Sequence, residues 1–325
     1  MITKTEKLMD IASAVDTFVT DGCHLSIGGF TVNRNPMAGV YEIIRQRKKG
    51  LHLYAHSNGQ GVDELIGGGC IEKLEIAYAG NGRFAPTCIR FKKAIQEGTL
   101  LVEDYSNYQM TLRFMAGAMG VPFLPSRSSL GTDIISKWGF SEKLRQDDPK
   151  IPNQKIIVGK NPFDQWTDAE KLVFVPAIIP DVTIIHVQKA DEHGTASIQG
   201  LPMADVDQAK AAKHLIVTCE ELVTSHQMKS QSDANQIPHF CVDAVVHQPG
   251  GAYPTACYNF YDYDPFFLKE YKKFASDDNL HSQYLDEYIH GLKDHQERLD
   301  LAGEDRLQII KADKRTGYAI NLDRK

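Results

Sequence analysis

Two hydrophobic periodicities take turns along the first 120 residues. Leu8, Ile11, Ala12, Val15, Phe18 and Val19 recur at helical spacing and predict an amphipathic helix over 4–19. A compact apolar run at 23–29 (CHLSIGG) reads as a strand, and Pro36, suited to the first position of a helix, opens a helical segment ending near Gly50. The alternation continues through strand 51–57, a Gly-rich turn and helix to Gly67-Gly68-Gly69, strand 71–79, helix 86–97, strand 99–104 and helix 108–119. Strands that each hand over to a helix are the mark of βα units on a parallel sheet.

Between 121 and 170 the periodicity dissolves around Pro122, Pro125, Pro149, Pro152 and Pro162, too irregular for one element and too long for a plain connector. The segment reads as a functional excursion. Strands resume at 171–178, 182–189 and 214–219, continuing the sheet, with an Ala-rich helix at 203–213 and a further apolar stretch at 240–247. From Asp264 onward Phe266, Phe267, Tyr271, Phe274, Leu285, Tyr288, Ile289 and Leu292 mark a polar helical tail expected to pack outside the core. The predicted class is α/β: an open, mostly parallel sheet with helices on both faces, one domain over 1–264, and a helical extension over 265–325 packed on it.

Composition narrows the partners. Lys and Arg number 36 against 42 Asp and Glu, a net charge of −6, which leaves no cationic excess for a polyanion, so nucleic acid is not an expected partner. Asp10 and Asp16 break the first helix as a signal sequence, and the longest apolar run, 172–179, falls far short of the roughly 20 residues that span a bilayer; no membrane association is expected. The six cysteines form no CxxC pair, as expected of reduced thiols in a cytoplasmic protein.

Ligands of an open parallel sheet bind beyond the carboxyl ends of its strands, which directs attention to three Gly-rich turns. The first, Ile27-Gly28-Gly29-Phe30 with Arg34 and Pro36 behind it, exposes two adjacent backbone N–H groups that can meet an oxyanion or phosphate; an ordinary turn needing positive φ would look the same. The second, Ser57-Asn58-Gly59-Gln60-Gly61, and the third, Gly80-Asn81-Gly82, each add an amide side chain able to bind a carboxylate or carbonyl, and each is also a normal turn composition. Glu103-Asp104-Tyr105-Ser106-Asn107 closes the fourth strand with paired acids, either a nucleophile or base or a helix cap. His186 and Asp191-Glu192-His193 gather four possible ligands, but without HExxH or paired CxxC no metal is expected there; a capped turn is. GxGxxG, GxxxxGK[ST] and GxSxG are all missing, so no nucleotide loop or serine nucleophile is proposed.

Asp21-Gly22-Cys23-His24-Leu25-Ser26-Ile27-Gly28-Gly29-Phe30 and on to Pro36 resembles the signature of the α subunit of family I coenzyme A transferases: an acidic residue with Gly, an apolar run, then GGF and a G-x-P. It departs at Ser26, inside the apolar run, and at Arg34, where the general signature has Gly; an Arg there is similar to the glutaconate CoA-transferase branch. His186-Val187-Gln188-Lys189-Ala190-Asp191-Glu192-His193-Gly194 is similar to the family's HxxxADxxG stretch, and Cys241-Val242-Asp243-Ala244-Val245-Val246, Cys257-Tyr258 and Tyr261-Asp262-Tyr263-Asp264 agree as well.

The resemblance implies the CoA-transferase-like fold and the α half of a two-subunit enzyme that moves CoA between carboxylic acids by a ping-pong route through an enzyme thioester. It implies that the nucleophilic glutamate belongs to the β subunit, that CoA is a substrate with no tightly bound cofactor, and that the assembly is a hetero-oligomer such as α2β2 or α4β4. In this chain Gly28 and Gly29 N–H groups, with Phe30 as a wall, would line the cleft, and Asn107 would supply an amide for oxyanion stabilisation or orientation. Asn58, Asn81 and Ser106 are further expected substrate contacts, and a dicarboxylate such as glutaconate would need a cation for its distal charge, Arg34 first and Arg127 in reserve. The runner-up is the corresponding half of an acyl-CoA ring-opening hydrolase on the same scaffold, which carries an acid at the position of Asn107; a non-enzymatic sensor of the broader fold is a third reading.

Overall fold

The computed structural model describes residues 7–163, 171–320 and 322. Strands β1 (His24–Ile27), β2 (Leu51–Asn58), β3 (Ile71–Ala79) and β4 (Leu101–Asp104) alternate with helices α1 (Ile11–Phe18), α2 (Met37–Arg45), α3 (Gln60–Gly67), α4 (Ile89–Glu97) and α5 (Asn107–Met119). The excursion contains β5 (Phe123–Ser126), α6 (Asp133–Ser136), α7 (Glu142–Asp147) and β6 (Ile157–Lys160), and β7 (Lys171–Pro176) follows it. Then come β8 (Val182–Ala190), β9 (Ala196–Ser197), α8 (Asp205–Ala211), β10 (His214–Leu222), α9 (Ser225–Ser230) and β11 (Ala244–His247), before tail helices α10 (Pro265–Ser276), α11 (Asp278–Leu285), α12 (His295–Ala302) and α13 (Glu304–Ile310).

The main sheet runs in the order β11-β10-β8-β1-β2-β3-β4, all parallel, with the short β9 antiparallel to β8. The chain builds outward from β1 on one side and from β8 on the other, so β1 and β8 flank the point where strand order reverses and a crevice opens beyond their carboxyl ends. Both faces of β1 and most of β2 are buried, so Leu25, Ile27, Leu51, Leu53 and Ala55 enter the core while the polar His24, Ser26 and His52 are buried with them.

Three expectations are corrected. Strand 171–176 does not continue the main sheet: it is the centre of a separate antiparallel sheet, β5-β7-β6, formed with the two strands of the excursion. Pro36 caps α2 instead of opening its first turn. The tail does not lie outside the core, because Phe267, Tyr271, Ala275, Tyr284 and Ile289 belong to the same buried cluster as Leu25, Val40, Leu53 and Leu65. The part of the first helix expected before residue 7 lies outside the described residues. Among the described residues no helix is long and apolar enough to cross a membrane.

Candidate active site

Beyond β1 the chain turns sharply. Gly28 has Asp205 packed where a side chain would be, an added Cβ falling 2.8 Å from Asp205 Oδ2, and Gly29 holds φ +89 with its Cβ position 2.7 Å from the Arg34 carbonyl oxygen. Thr31 and Arg34 are both left-handed, at φ 49, a conformation that costs about 1 kcal/mol or more per non-glycine residue and has to be held from outside. The holding bonds are Thr31 N–H to the Ser57 carbonyl at 2.9 Å, Arg34 N–H to the Ala256 carbonyl at 2.7 Å, and the reciprocal Phe30–Asn33 pair at 2.8 Å.

The strongest restraint is ionic. Arg34 Nη1 donates to Asp205 Oδ2 at 2.8 Å, and Asp205 Oδ1 accepts the Gly29 N–H at 2.9 Å, with Arg34 only 5% exposed. Burial pushes the Asp205 carboxyl up, opposed by the Arg34 guanidinium and the Gly29 N–H. The remaining Arg34 bonds go to the carbonyls of His186, Leu201 and Pro202, so this one side chain ties the β1 turn to the segment between β8 and α8 across the crevice.

These contacts revise several sequence expectations. Gly28 N–H is bonded to the Ile184 carbonyl and Gly29 N–H to Asp205, so both N–H groups are taken up by the turn and its close packing. Arg34 has its charge matched by Asp205, so the distal-carboxylate role expected of it is withdrawn. Asn58 is buried between the Gly28 carbonyl and the Val62 N–H, and Asn81 donates to Gln60 Oε1 at 2.8 Å; both amides hold turns together. Glu103 is a buried partner of Arg145 and accepts from Gly139 N–H, while Asp104 takes Lys155 Nζ at 3.0 Å. The capping role falls to Ser106, whose Oγ accepts from Gln109 N–H while Gln109 Oε1 accepts from Ser106 N–H. The Asp191 carboxylate caps its own turn by accepting from His193 and Thr195 N–H groups.

Asn107 remains as an available group. It is exposed in the first turn of α5, its Oδ1 accepts from Ser57 Oγ–H, and its Nδ2 has no hydrogen-bond partner among the described residues. The carbonyl of Asn107 is held by His56 Nε2 at 3.0 Å, and that ring, 5.9 Å from the Phe30 ring, reaches Thr111 Oγ1 as well. Burial keeps the His56 imidazole below its ordinary pKa, so it is neutral and its Nε2–H is the donor. Ser106 Oγ lies 3.2 Å from Ser128 Oγ, which brings the loop bearing the exposed Arg127 beside this amide. Phe30 also lines a cavity of about 260 Å³, together with Arg34, Gln199, Leu201, Tyr258 and Tyr261 among others. Sequence reasoning places Ser57 in a turn without a role and misses His56 and Asp205, which stand in no motif.

The chain whose parallel α/β sheet carries this loop patch and cavity belongs to the coenzyme A transferases: residues 8–248 match Coenzyme A transferase. Within it the chain is 38% identical over 316 residues to the A subunit of glutaconate CoA-transferase from Acidaminococcus fermentans, covering 97% of this chain and 98% of that one. The crystal structure of that organism's glutaconate coenzyme A-transferase superposes with a TM-score of 0.92 over 97% of this chain and 98% of the matched one. The A subunit of 3-oxoadipate CoA-transferase from Pseudomonas knackmussii is 34% identical over 90% of this chain and 96% of its own length. A cholesterol ring-cleaving hydrolase subunit from Rhodococcus jostii is 27% identical over 90% and 95% respectively.

Proposed function

We propose that this chain is the α subunit of a two-subunit CoA-transferase that takes a dicarboxylate such as glutaconate as acceptor and acetyl-CoA as donor. The attacking group is a glutamate of the β subunit. Its carboxylate adds to the thioester carbonyl and CoA thiolate leaves, giving an anhydride. The thiolate then attacks the glutamyl carbonyl, releasing the first carboxylate and leaving a glutamyl-CoA thioester, which the acceptor acid consumes by the same steps in reverse.

The observation that carries the reading is the pairing of every candidate acid beside one available amide. Glu103, Asp104, Asp205 and Glu220 each sit against a cation or hydrogen-bond donor, which suits these four to structure and not to nucleophilic attack. Asn107, by contrast, is exposed, with Oδ1 held by Ser57 and Nδ2 without a partner among the described residues, which suits that amide to a developing oxyanion. Arg127, whose loop meets Ser106 through Ser128, is the cation assigned to the distal carboxylate of the acceptor. The hydrolase reading requires a proton acceptor where this chain has the amide of Asn107, which favours transfer over water attack.

The test is reduction with borohydride after addition of acyl-CoA to the chain co-purified with its β subunit. The expected mass change is on the β subunit, with none on this chain, and the isolated chain performs no exchange. CoA exchange by the isolated chain at the rate of the complex would overturn the proposal.

A further inference from the structure

At the opposite end of the sheet from the loop patch, His24 begins β1 and His52 lies directly across from it in β2, the parallel register pairing His24 with His52. Their rings are 4.4 Å apart, and both residues are buried. The end of α7 brings Asp148 over them, with its Oδ2 3.1 Å from His24 Nε2 and 21% of its side chain exposed. One ligand atom from each of the three residues lies within 4.8 Å of the other two.

We propose that His24, His52 and Asp148 form a transition-metal site, taking Zn²⁺, that pins the excursion to the amino-terminal edge of the main sheet. Two imidazoles and one carboxylate match the ligand preference of zinc and disfavour magnesium or calcium, and a water entering beside the partly exposed Asp148 completes four-coordination. His52 supplies an independent pointer: it is 1% exposed, and its Nδ1 has no hydrogen-bond partner among the described residues. Such a buried polar group without a partner is costly and calls for an explanation. A metal on Nδ1 provides one and fixes the proton on Nε2, which lies 3.0 Å from Glu75 Oε1, off the hydrogen-bond axis.

The surroundings are those of a supported site. His24 Nδ1 is 2.7 Å from Tyr54 Oη, so when His24 Nε2 gives up its proton to bind metal, Nδ1–H donates to the tyrosine oxygen. Glu75, behind His52, is itself fixed by Arg113 Nη1 at 2.5 Å. A partner on the far nitrogen orients a metal-bound histidine: the Tyr54 hydroxyl serves His24, and the Glu75 carboxylate faces His52 as a charge. The other buried triad, His186, Glu220 and Cys257, contrasts with it. There both His186 nitrogens are bonded, to Thr218 at 2.8 Å and Glu220 at 2.7 Å, and Glu220 also accepts from Tyr261 Oη–H and Gly250 N–H, so the group is a closed hydrogen-bond network.

The test uses the full-length chain, stripped with a chelator, reloaded with Zn²⁺ and passed through metal-free gel filtration. One zinc per chain is expected by mass spectrometry, and Co²⁺ in its place should give the intense visible absorption of four-coordinate cobalt. Asp148→Asn, at the accessible edge, should weaken zinc at least about tenfold while leaving the metal-free circular dichroism spectrum unchanged. Zinc-free protein after reloading, an adventitious ion lost on the column, or full retention by both Asp148→Asn and His52→Asn would each overturn the site.

Discussion

Asn107 and Arg127 divide the proposed work. Asn107→Ala removes a donor held for the oxyanion, so kcat should fall roughly 10²–10³-fold, about 3 kcal/mol, with KM little changed, as steady-state assay of the complex would read. Arg127→Ala should instead raise KM for the dicarboxylate and spare acetate; equal losses for both acids would place the distal charge elsewhere. Arg34→Met makes a different kind of change. It strands Asp205 in the interior without its cation, an expected loss of about 3–5 kcal/mol in urea unfolding, and adding Asp205→Asn should return much of it. The Gly28-Gly29-Phe30 segment is legible as important because two adjacent glycines after a strand are unusual. The reason for it is not legible, since the acid that occupies the space beside Gly28 is 176 residues from Gly29 along the chain.

Elements that alternate in the simplest way are readable from the chain: strand 71–79 coincides with β3, and helix 108–119 differs from α5 by one residue. The excursion defeats periodicity because β5 is only Phe123–Ser126, contains Pro125, and is half exposed, so neither an alternating nor a continuous apolar pattern can form. Buried β7 residues Val173 and Val175 look the same in sequence whether the strand joins a parallel or an antiparallel neighbour. The tail is misplaced for a related reason: an aromatic stripe states that a helix buries one face, and leaves open against what. That face lands on α3. Asp63 accepts from Tyr271 Oη–H at 3.0 Å and from Phe91 N–H at 2.9 Å, and Glu64 from Tyr284 Oη–H at 2.7 Å. Burial raises Asp63 from 3.8 to about 6 and Glu64 from 4.5 to about 7. Across those windows the native chain holds more protons than the unfolded one, so these two groups favour folding at low pH, and their stabilisation falls as pH rises through the folded values. Asp63→Asn keeps an acceptor for Phe91 and cannot ionise; relative to the parent its stability should improve steadily from pH 3.8 to about 6 and then level off in urea titrations.

At the scale of the whole molecule, the parallel sheet places two separate devices at its two ends. The carboxyl edge carries the loop patch with Asn107 and the cavity beside Phe30, and the amino edge carries the His24–His52 pair under the excursion. The family is readable because its marks, GGF and the stretch from His186 to Gly194, lie in loops and strands that frame the crevice. The positions of the helices that complete the interior are not. Arg298, from α12, stacks 3.7 Å over the Tyr41 ring and donates to both Tyr41 and Tyr284 hydroxyls, joining the end of the chain to its second helix. That contact bears on synthesis. Until the residues beyond 264 have been translated, the part of α2 and α3 that the tail helices bury stays uncovered, so this cluster closes only when the tail docks.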